Sequence, residues 1–527
     1  EGIMIKVILK KNIKFIAVSL IMSLIMVVAT LSVPFLSNKI FRDITNIQRS
    51  DLYLLFGIMV LNYFIQIGLI LLKEKVAVNV NSENLNNFMK DLFHVKYDTM
   101  INLGNISLIT KISKLTNSIY SFLIDDVNTM VSSILIIIGA LIFVSIQNIY
   151  YGLILLAIIP FTFFGFKLIN KKLSEKCVSL SAITSKNYQD FNNIYSNPDF
   201  LKQYSKFDGF DNLINKKIVE IFEAHKSVNQ FAGAASSSIR MFNELVQNAL
   251  LIWISYNVTI GNAKLYSIVV FTLVINVFFD SLYSLNGVNI DLTNLKVDSG
   301  FYKENILDNL ENKDGIAVEN TISKVKFENP VVKILDTEFK FDINEEFYPS
   351  DIVYIDAKSG AGKSTLLRSL LNIRDVDGIF INEKEVNSLS LDELREKVAY
   401  VPQNPLIIPA SLRENILVDT VKDKSIDEKI LSMDVLKPVL KNKNLDSEIL
   451  ANGENLSGGE KQRVSIVRSL MRDADVYIFD EITSNLDSES QEDFFSNFIK
   501  DIDNKIVFII SHDKKVQKYC NKTMQVK

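Results

Sequence analysis

Residues 357–365 read Ala-Lys-Ser-Gly-Ala-Gly-Lys-Ser-Thr, the composition of a loop that wraps a phosphate chain. Gly360 and Gly362 let the backbone curl until its N–H groups point inward at anionic oxygens. Ser359, Ala361 and Thr365 supply further backbone of the same cradle. Lys363 would reach the β- and γ-phosphates of a nucleotide, and the Ser364 hydroxyl would ligate Mg²⁺. Such a loop carries meaning only between a strand and a helix. The apolar run 353–355 before it and the run 366–371 after it predict that context. Two positions depart from the pattern: Ala357 stands where the first glycine is usual, and Asp356 puts an acid beside a phosphate site.

The rest of the second half adds matching chemistry in order along the chain. Gln403 ends the strand-like run 399–403 and can reach the metal and sense the γ-phosphate. Ser457, Gly458, Gly459 and Glu460 open a helical stretch, so their N–H groups and hydroxyl make a second anion site. The run 476–479 is apolar and ends in Asp480 and Glu481. Asp480 at the mouth of a buried strand can hold Mg²⁺ through water, and Glu481 can take the proton of an attacking water as general base. Residues 484–487, Ser-Asn-Leu-Asp, follow, and the buried run 506–510 leads to His512, which can contact the γ-phosphate and hold that water and Glu481. Taken singly, an Asp-Glu pair reads as a solvated loop and a lone histidine as a packed residue. Together, at this spacing, the set reads as a site for ATP with Mg²⁺.

The elements that position these residues belong to a soluble α/β half. The first half is unlike it. A membrane helix needs about 20 mainly apolar residues, and six stretches qualify: 15–36, 52–72, 129–146, 151–169, 245–259 and 266–285. The first of them is too long to read as the apolar core of a cleavable signal. The fifth carries Gln247 and Asn248 at its start. Short links join spans one to two, three to four and five to six, whereas the polar segments 73–128 and 170–244 separate the pairs. Both long segments are lysine-rich with helical periodicity, and the N-terminus carries Lys6, Lys10, Lys11 and Lys14. The positive-inside rule places all of these, and the C-terminal half, in the cytoplasm of a multi-pass protein of the cytoplasmic membrane. Pro34 and Pro160 should kink or end their helices. Asn276 and Asp280, one turn apart in the sixth span, read either as part of a polar path through the membrane or as a locally paired acid.

Composition excludes some classes. A net charge of −4 gives no case for nucleic acid as partner, and Cys177 and Cys520 lie too far apart for a metal-ligand pattern. The expected domains are 1–310, a membrane helical bundle, 311–322, a polar linker, and 323–527, the P-loop ATPase domain.

These residues resemble the ABC (ATP-binding cassette) proteins. The phosphate loop is similar to Walker A, 456–460 to the signature motif, Gln403 to the Q-loop, Asp480 and Glu481 to Walker B and its catalytic glutamate, 484–487 to the D-loop and His512 to the H-loop. The whole chain resembles a type IV exporter half-transporter, with 104–111 and 192–202 near its two coupling helices. The resemblance implies six transmembrane helices with long cytoplasmic extensions, followed by an α/β ATPase domain of ABC type. It implies ATP and Mg²⁺ as cofactors, membrane lipid as surroundings, and a second half-transporter chain, in a homodimer, whose signature completes each site. The implied function is ATP-driven efflux of an amphipathic or peptide-like substrate. A lipid or lipid-linked flippase and a non-transporting regulatory ATPase are the alternatives. The family stacks adenine on an aromatic about thirty residues before the Walker lysine, where 331–334 offers none.

Overall fold

The computed structural model describes residues 10–42, 48–312, 314–334, 337–358, 360–482, 492, 495 and 504–526. The chain divides into two compact units, the first holding residues 1–95 and 99–310 and the second 96–98 and 311–527.

The first unit is helical. Its helices are α1 (Ile13–Arg42), α2 (Arg49–Leu92), α3 (Tyr97–Leu103), α4 (Asn105–Ser121), α5 (Val127–Gln147), α6 (Ile149–Tyr195), α7 (Pro198–Tyr204), α8 (Asp208–Thr259) and α9 (Tyr266–Asn305). A π-helical turn, Phe122–Asp126, joins α4 to α5, the kind of one-turn bulge that re-aims a long helix. Small residues let helices approach closely in a membrane. On α1 Ser19, Ser23 and Ala29 are buried, and Ser23 donates to Asn128 Oδ1 at 3.4 Å. The central helix is α9, whose Phe271, Val274, Ile275 and Phe278 pack with Ala140 of α5, Leu155 of α6 and Ile254 of α8. Lower on α9, Leu295 and Tyr302 share a second core with Leu108, Ile112 and Leu115 of α4. Between Leu295 and Tyr302 of that second core Asp298 is buried, accepting from Ser118 Oγ at 2.7 Å and pairing with Lys114 at 3.2 Å.

Among the described residues, five helical stretches are long and apolar enough to cross a membrane: Ile13–Arg42, Arg49–Leu92, Asn105–Gln147, Ile149–Tyr195 and Tyr266–Asn309. The expected fifth span, 245–259, is helical as the end of α8 but falls short of that measure. Gln247, Asn248 and Asn257 dilute its apolar run, and the turn before it carries Asn243 and Glu244. Pro34 and Pro160 lie inside α1 and α6, so neither ends its helix. Neighbouring helices and local backbone adjustment absorb a proline in such spans. The expected coupling stretches fall beside the two short helices: residues 104–111 open α4 just after α3, and 192–202 run from the end of α6 into α7.

The second unit holds two sheets. The strands are β1 (Val325–Ile334), β2 (Thr337–Lys340), β3 (Asn344–Phe347), β4 (Ile352–Asp356), β5 (Val376–Ile381), β6 (Lys384–Glu385), β7 (Val398–Val401), β8 (Val476–Asp480), β9 (Ile506–Ile510) and β10 (Lys522–Gln525). An antiparallel sheet runs β2-β1-β5-β6, with β3 also on β1. A parallel sheet runs β10-β4-β9-β8-β7. Every residue of β8 and β9 is buried, because one face of the parallel sheet packs on Leu412, Ile416 and Val464 and the other on Leu366, Leu367 and the antiparallel sheet. Phe327, Phe347 and Phe508 tie the two sheets together edge to face, with centroids 5.2–6.0 Å apart. Each such pair contributes about 0.5–1.5 kcal/mol beyond its buried area.

The polar stretch 311–322 has the composition of a tether but is tied down along its described length. Glu311 takes a two-pronged bond from Arg395 at 2.7 and 2.8 Å. Ile316 bridges to Leu389, the Val318 N–H donates to Glu393 and the Ile322 N–H to Asp475. Composition cannot show this, because the partners lie some 70–150 residues away along the chain.

Candidate nucleotide site

Because β4, β7, β8 and β9 run parallel, their C-terminal ends line one edge of the sheet. Ligands of open α/β sheets bind at that edge. The phosphate loop follows β4 there, Gln403 follows β7, Asp480 and Glu481 close β8 and His512 follows β9. Residues 100 or more positions apart are thereby brought together.

The loop leads from β4 into the helix α10 (Lys363–Arg368). Gly360 and Gly362 both have φ of +81°, the left-handed region that favours glycine. A methyl group at Gly362 would also meet the Phe341 ring at 3.1 Å. Ala357 has no such backbone angle, so a side chain is tolerated where the pattern has its first glycine. Lys363 is buried and donates to the Ala357 carbonyl at 3.3 Å. Asp356 turns away from the cradle, its carboxyl accepting from Gln525 at 3.2 Å. Gly360, Ala361 and Gly362 lie on the loop and Ser364 and Thr365 in the first turn of α10, while Ser359 lies outside the described residues, as do residues 484–487.

Glu481 has φ of +52°, a strained angle for a residue with a side chain, worth about 1–3 kcal/mol where surroundings enforce it. Its N–H is held by the Ile510 carbonyl at 2.9 Å. The resulting turn sets its carboxyl between two partners: Gln403 Nε2 donates to one oxygen, and His512 Nε2 lies 2.8 Å from the other. A water placed against this group meets a proton acceptor that is already aimed.

Asp480 is buried at the strand end. Tyr400 of β7 donates its hydroxyl to Asp480 Oδ2 at 2.7 Å and accepts from Arg368 Nε at 2.8 Å. The guanidinium stacks over the Tyr400 ring at 5.0 Å. Burial first, and the Asp480 carboxylate second, hold the Tyr400 phenol well above its ordinary range, so it remains a donor. Tyr400→Phe is expected to cost about 1.5–3 kcal/mol, the worth of a hydrogen bond to a charged group. The measurement is the thermal midpoint of the purified chain, and an unchanged midpoint would remove Tyr400 from the support of Asp480.

Ser457 caps the helix α15 (Gly458–Leu470; α11–α14 are Leu391–Lys397, Leu412–Leu417, Lys424–Ser432 and Lys437–Leu440). Its hydroxyl accepts from the Glu460 N–H, and Glu460 accepts from the Ser457 N–H at 2.7 Å, a reciprocal box. Ser457 and Gly458 are exposed, and no hydrogen bond among the described residues joins them to the phosphate loop. Gln462, one turn in, is fully buried and donates to the Gln403 carbonyl. Neither Tyr400, within the run 399–403, nor Gln462, two residues past the stretch 456–460, stands out in the sequence as a functional residue. Their only signal was a polar residue in a run that is otherwise buried.

Phe327 is fully buried and cannot stack a base, whereas Phe339 on β2 is half exposed, opposite Val332. Burial pushes the Cys520 thiol up to about 12, which leaves it inert. The donors that would surround a metal, the Ser364 hydroxyl, the Asp480 carboxylate and the Gln403 amide oxygen, are all hard oxygens suited to Mg²⁺. Gln403 spends its amide nitrogen on Glu481, which leaves that oxygen available.

Known proteins share both halves of the chain. The profile of the ABC transporter transmembrane region matches residues 16–282, and that of the ABC transporter matches 341–484. The chain belongs to the ABC transporter family. It is an ATP-hydrolysing membrane transporter with its transmembrane and ATPase domains fused in one chain. A putative export ATP-binding/permease protein of Rickettsia bellii (strain RML369-C) is 25% identical over 553 residues, covering 96% of this chain and 91% of the relative. The lactococcin-G-processing and transport ATP-binding protein LagD of Lactococcus lactis subsp. lactis is 24% identical, covering 76% of this chain and 59% of its own. In fold, the chain is similar to a bacterial Atm1-family ABC exporter solved with ATP bound, with a TM-score of 0.81 at 17% identity over 98% of this chain and 94% of that one.

Proposed function

We propose that this ABC transporter works as a homodimeric exporter, moving an amphipathic or peptide-like substrate out of the cytoplasm. One observation carries the substrate class. Asn276 and Asp280 are exposed on one face of α9, and Gln247 of α8 donates to Asn276. A carboxyl at membrane depth facing away from its own helical core needs a partner protomer or a water-filled path rather than lipid. The relatives support the direction of transport, one named for export and one for processing and transport of lactococcin-G. The lysine-rich N-terminus and long segments support a cytoplasmic ATPase domain.

In the engine, Lys363 binds the β- and γ-phosphates, and Ser364, Gln403 and Asp480 would hold Mg²⁺, whose charge would offset that of the phosphates. Ser457, Gly458 and Gly459 of the second protomer, with Glu460 fixing their cap, close over the same nucleotide. Glu481, aimed by Gln403 and His512, takes a proton from water as its oxygen bonds to the γ-phosphorus. The bond from that phosphorus to the bridging oxygen breaks, and ADP leaves with the electron pair.

The test is ATP hydrolysis and flux in liposomes, with amphipathic peptides added in one series and lipids in another. Stimulation and flux with peptides are expected. Asp280→Asn should shift the peptide concentration for half-maximal stimulation by about ten- to a hundredfold, the worth of one hydrogen bond to a charged group. Stimulation by lipids alone would replace this reading with a flippase. No stimulation and no flux would replace it with a regulatory ATPase.

A further inference from the structure

The first unit contains a cavity of about 1280 Å³ that none of the roles above uses. It lies between α6 and α9, with Lys111 of α4 in its wall. Along α6 it runs from Phe163 to Ser181, a rise of about 27 Å at 1.5 Å per residue. That length crosses the border where the apolar run of α6 gives way to Asn170, Lys171 and Lys172.

The lining changes character at that border. Phe163, Phe164 and Leu168 stand 61%, 61% and 77% exposed on the apolar side. Lys167 and Lys171 follow at intervals of four, so they continue the same helix face. Lys296 of α9 and Lys111 face them. Lys111 donates to Ser181 Oγ and lies over the Phe301 ring at 5.2 Å. Four lysines thus line the cavity against two acids, Glu175 and Glu304. Lys167, Lys171 and Lys296 form no ion pair among the described residues, so this positive charge is not spent within the unit.

We infer that this groove holds a membrane phospholipid with a net-negative phosphate headgroup, the phosphate among Lys167, Lys171 and Lys296 and an acyl chain along Phe163, Phe164 and Leu168. Basic pockets between membrane helices at the polar border recognise such headgroups. A free phosphate would use the lysines and leave the three apolar side chains bare. A neutral lipid would use the apolar side chains and leave the lysines uncompensated. Only a ligand with both parts matches the change in lining along α6. The site goes beyond the transport reading, since the bound lipid is neither nucleotide nor cargo.

The experiment uses the full chain in nanodiscs of phosphatidylcholine containing a graded fraction of phosphatidylglycerol. Lipid retained after extraction is read by native mass spectrometry. Wild type should retain phosphatidylglycerol over phosphatidylcholine. Each lysine near an anionic headgroup is worth about fivefold, so Lys167→Ala, Lys171→Ala and Lys296→Ala together should weaken phosphatidylglycerol retention on the order of a hundredfold. Phosphatidylcholine retention and elution volume should stay at wild-type values. The triple Lys→Arg variant, which keeps the charge, should bind like wild type. Equal phosphatidylglycerol retention by wild type and the triple Ala variant overturns the site. So does displacement of the lipid by soluble glycerophosphate at equal concentration, which would make it a site for free phosphate esters. Loss of retention in the Arg variant as well would show a packing defect and overturn the headgroup assignment.

Discussion

Glu481→Gln is expected to lower ATP hydrolysis by about 10²–10⁴-fold, the usual worth of a positioned general base, while ATP still binds. Gln keeps the shape of Glu481 and removes its capacity to take a proton. The groups assigned to binding, Lys363, Ser364 and Asp480, are untouched by the change. The left-handed turn that aims residue 481 is held by its N–H bond to Ile510, which the substitution also leaves in place. Single-turnover hydrolysis, read beside a distance probe across the two ATPase domains, separates the two effects. The ATP-bound dimer should persist with those domains closed. Hydrolysis at the wild-type rate would shift the role of organising water to His512, whose Nε2 lies 2.8 Å from the Glu481 carboxyl.

Lys363→Ala should fail earlier in the cycle. Lys363 is buried in the loop with the Ala357 carbonyl as its hydrogen-bond partner. That weak contact is easily exchanged for phosphate oxygens, so the charge is available to nucleotide. Its removal should weaken ATP binding on the order of a hundredfold, since hydrogen bonds to ionised groups are the strong ones. The same distance probe should then report separated domains at ATP concentrations that close the wild type. Unchanged affinity, measured by equilibrium binding, would mean that backbone N–H groups alone hold the phosphates.

The candidate site was legible because its chemistry constrains residue type. A loop that needs φ of +81° at two positions announces itself with Gly360 and Gly362. A buried parallel strand that ends in acids announces itself as four apolar residues before Asp480. The support around these groups was not legible in the same way. Tyr400 meets Asp480 only because β7 pairs in parallel with β8 in one particular register. Gln462 meets Gln403 across 59 residues of chain. The segment 311–322 looks like a tether because its hydrogen-bond partners are distant surface residues. In the first unit, apolar length located the spans, but the mixed run 245–259 sits at the boundary where composition stops discriminating. Prolines mislead there, since a helix packed among helices can carry Pro34 or Pro160 without ending.

The bond from buried Gln462 to the Gln403 carbonyl has a consequence for timing in the proposed dimer. Gln403 belongs to the nucleotide held by its own protomer, whereas the tip of α15 closes over the nucleotide of the other. In that dimer one helix would thereby touch both nucleotides. Settling of that tip onto the first ATP would bear on the Gln403 backbone of the second site, so two half-filled dimers would be less favourable than one filled and one empty. Cooperativity of this kind is reciprocal, and neither site can be assigned the role of driver. In the proposed dimer the two ATP molecules would then bind as a pair, each tightening the hold on the other.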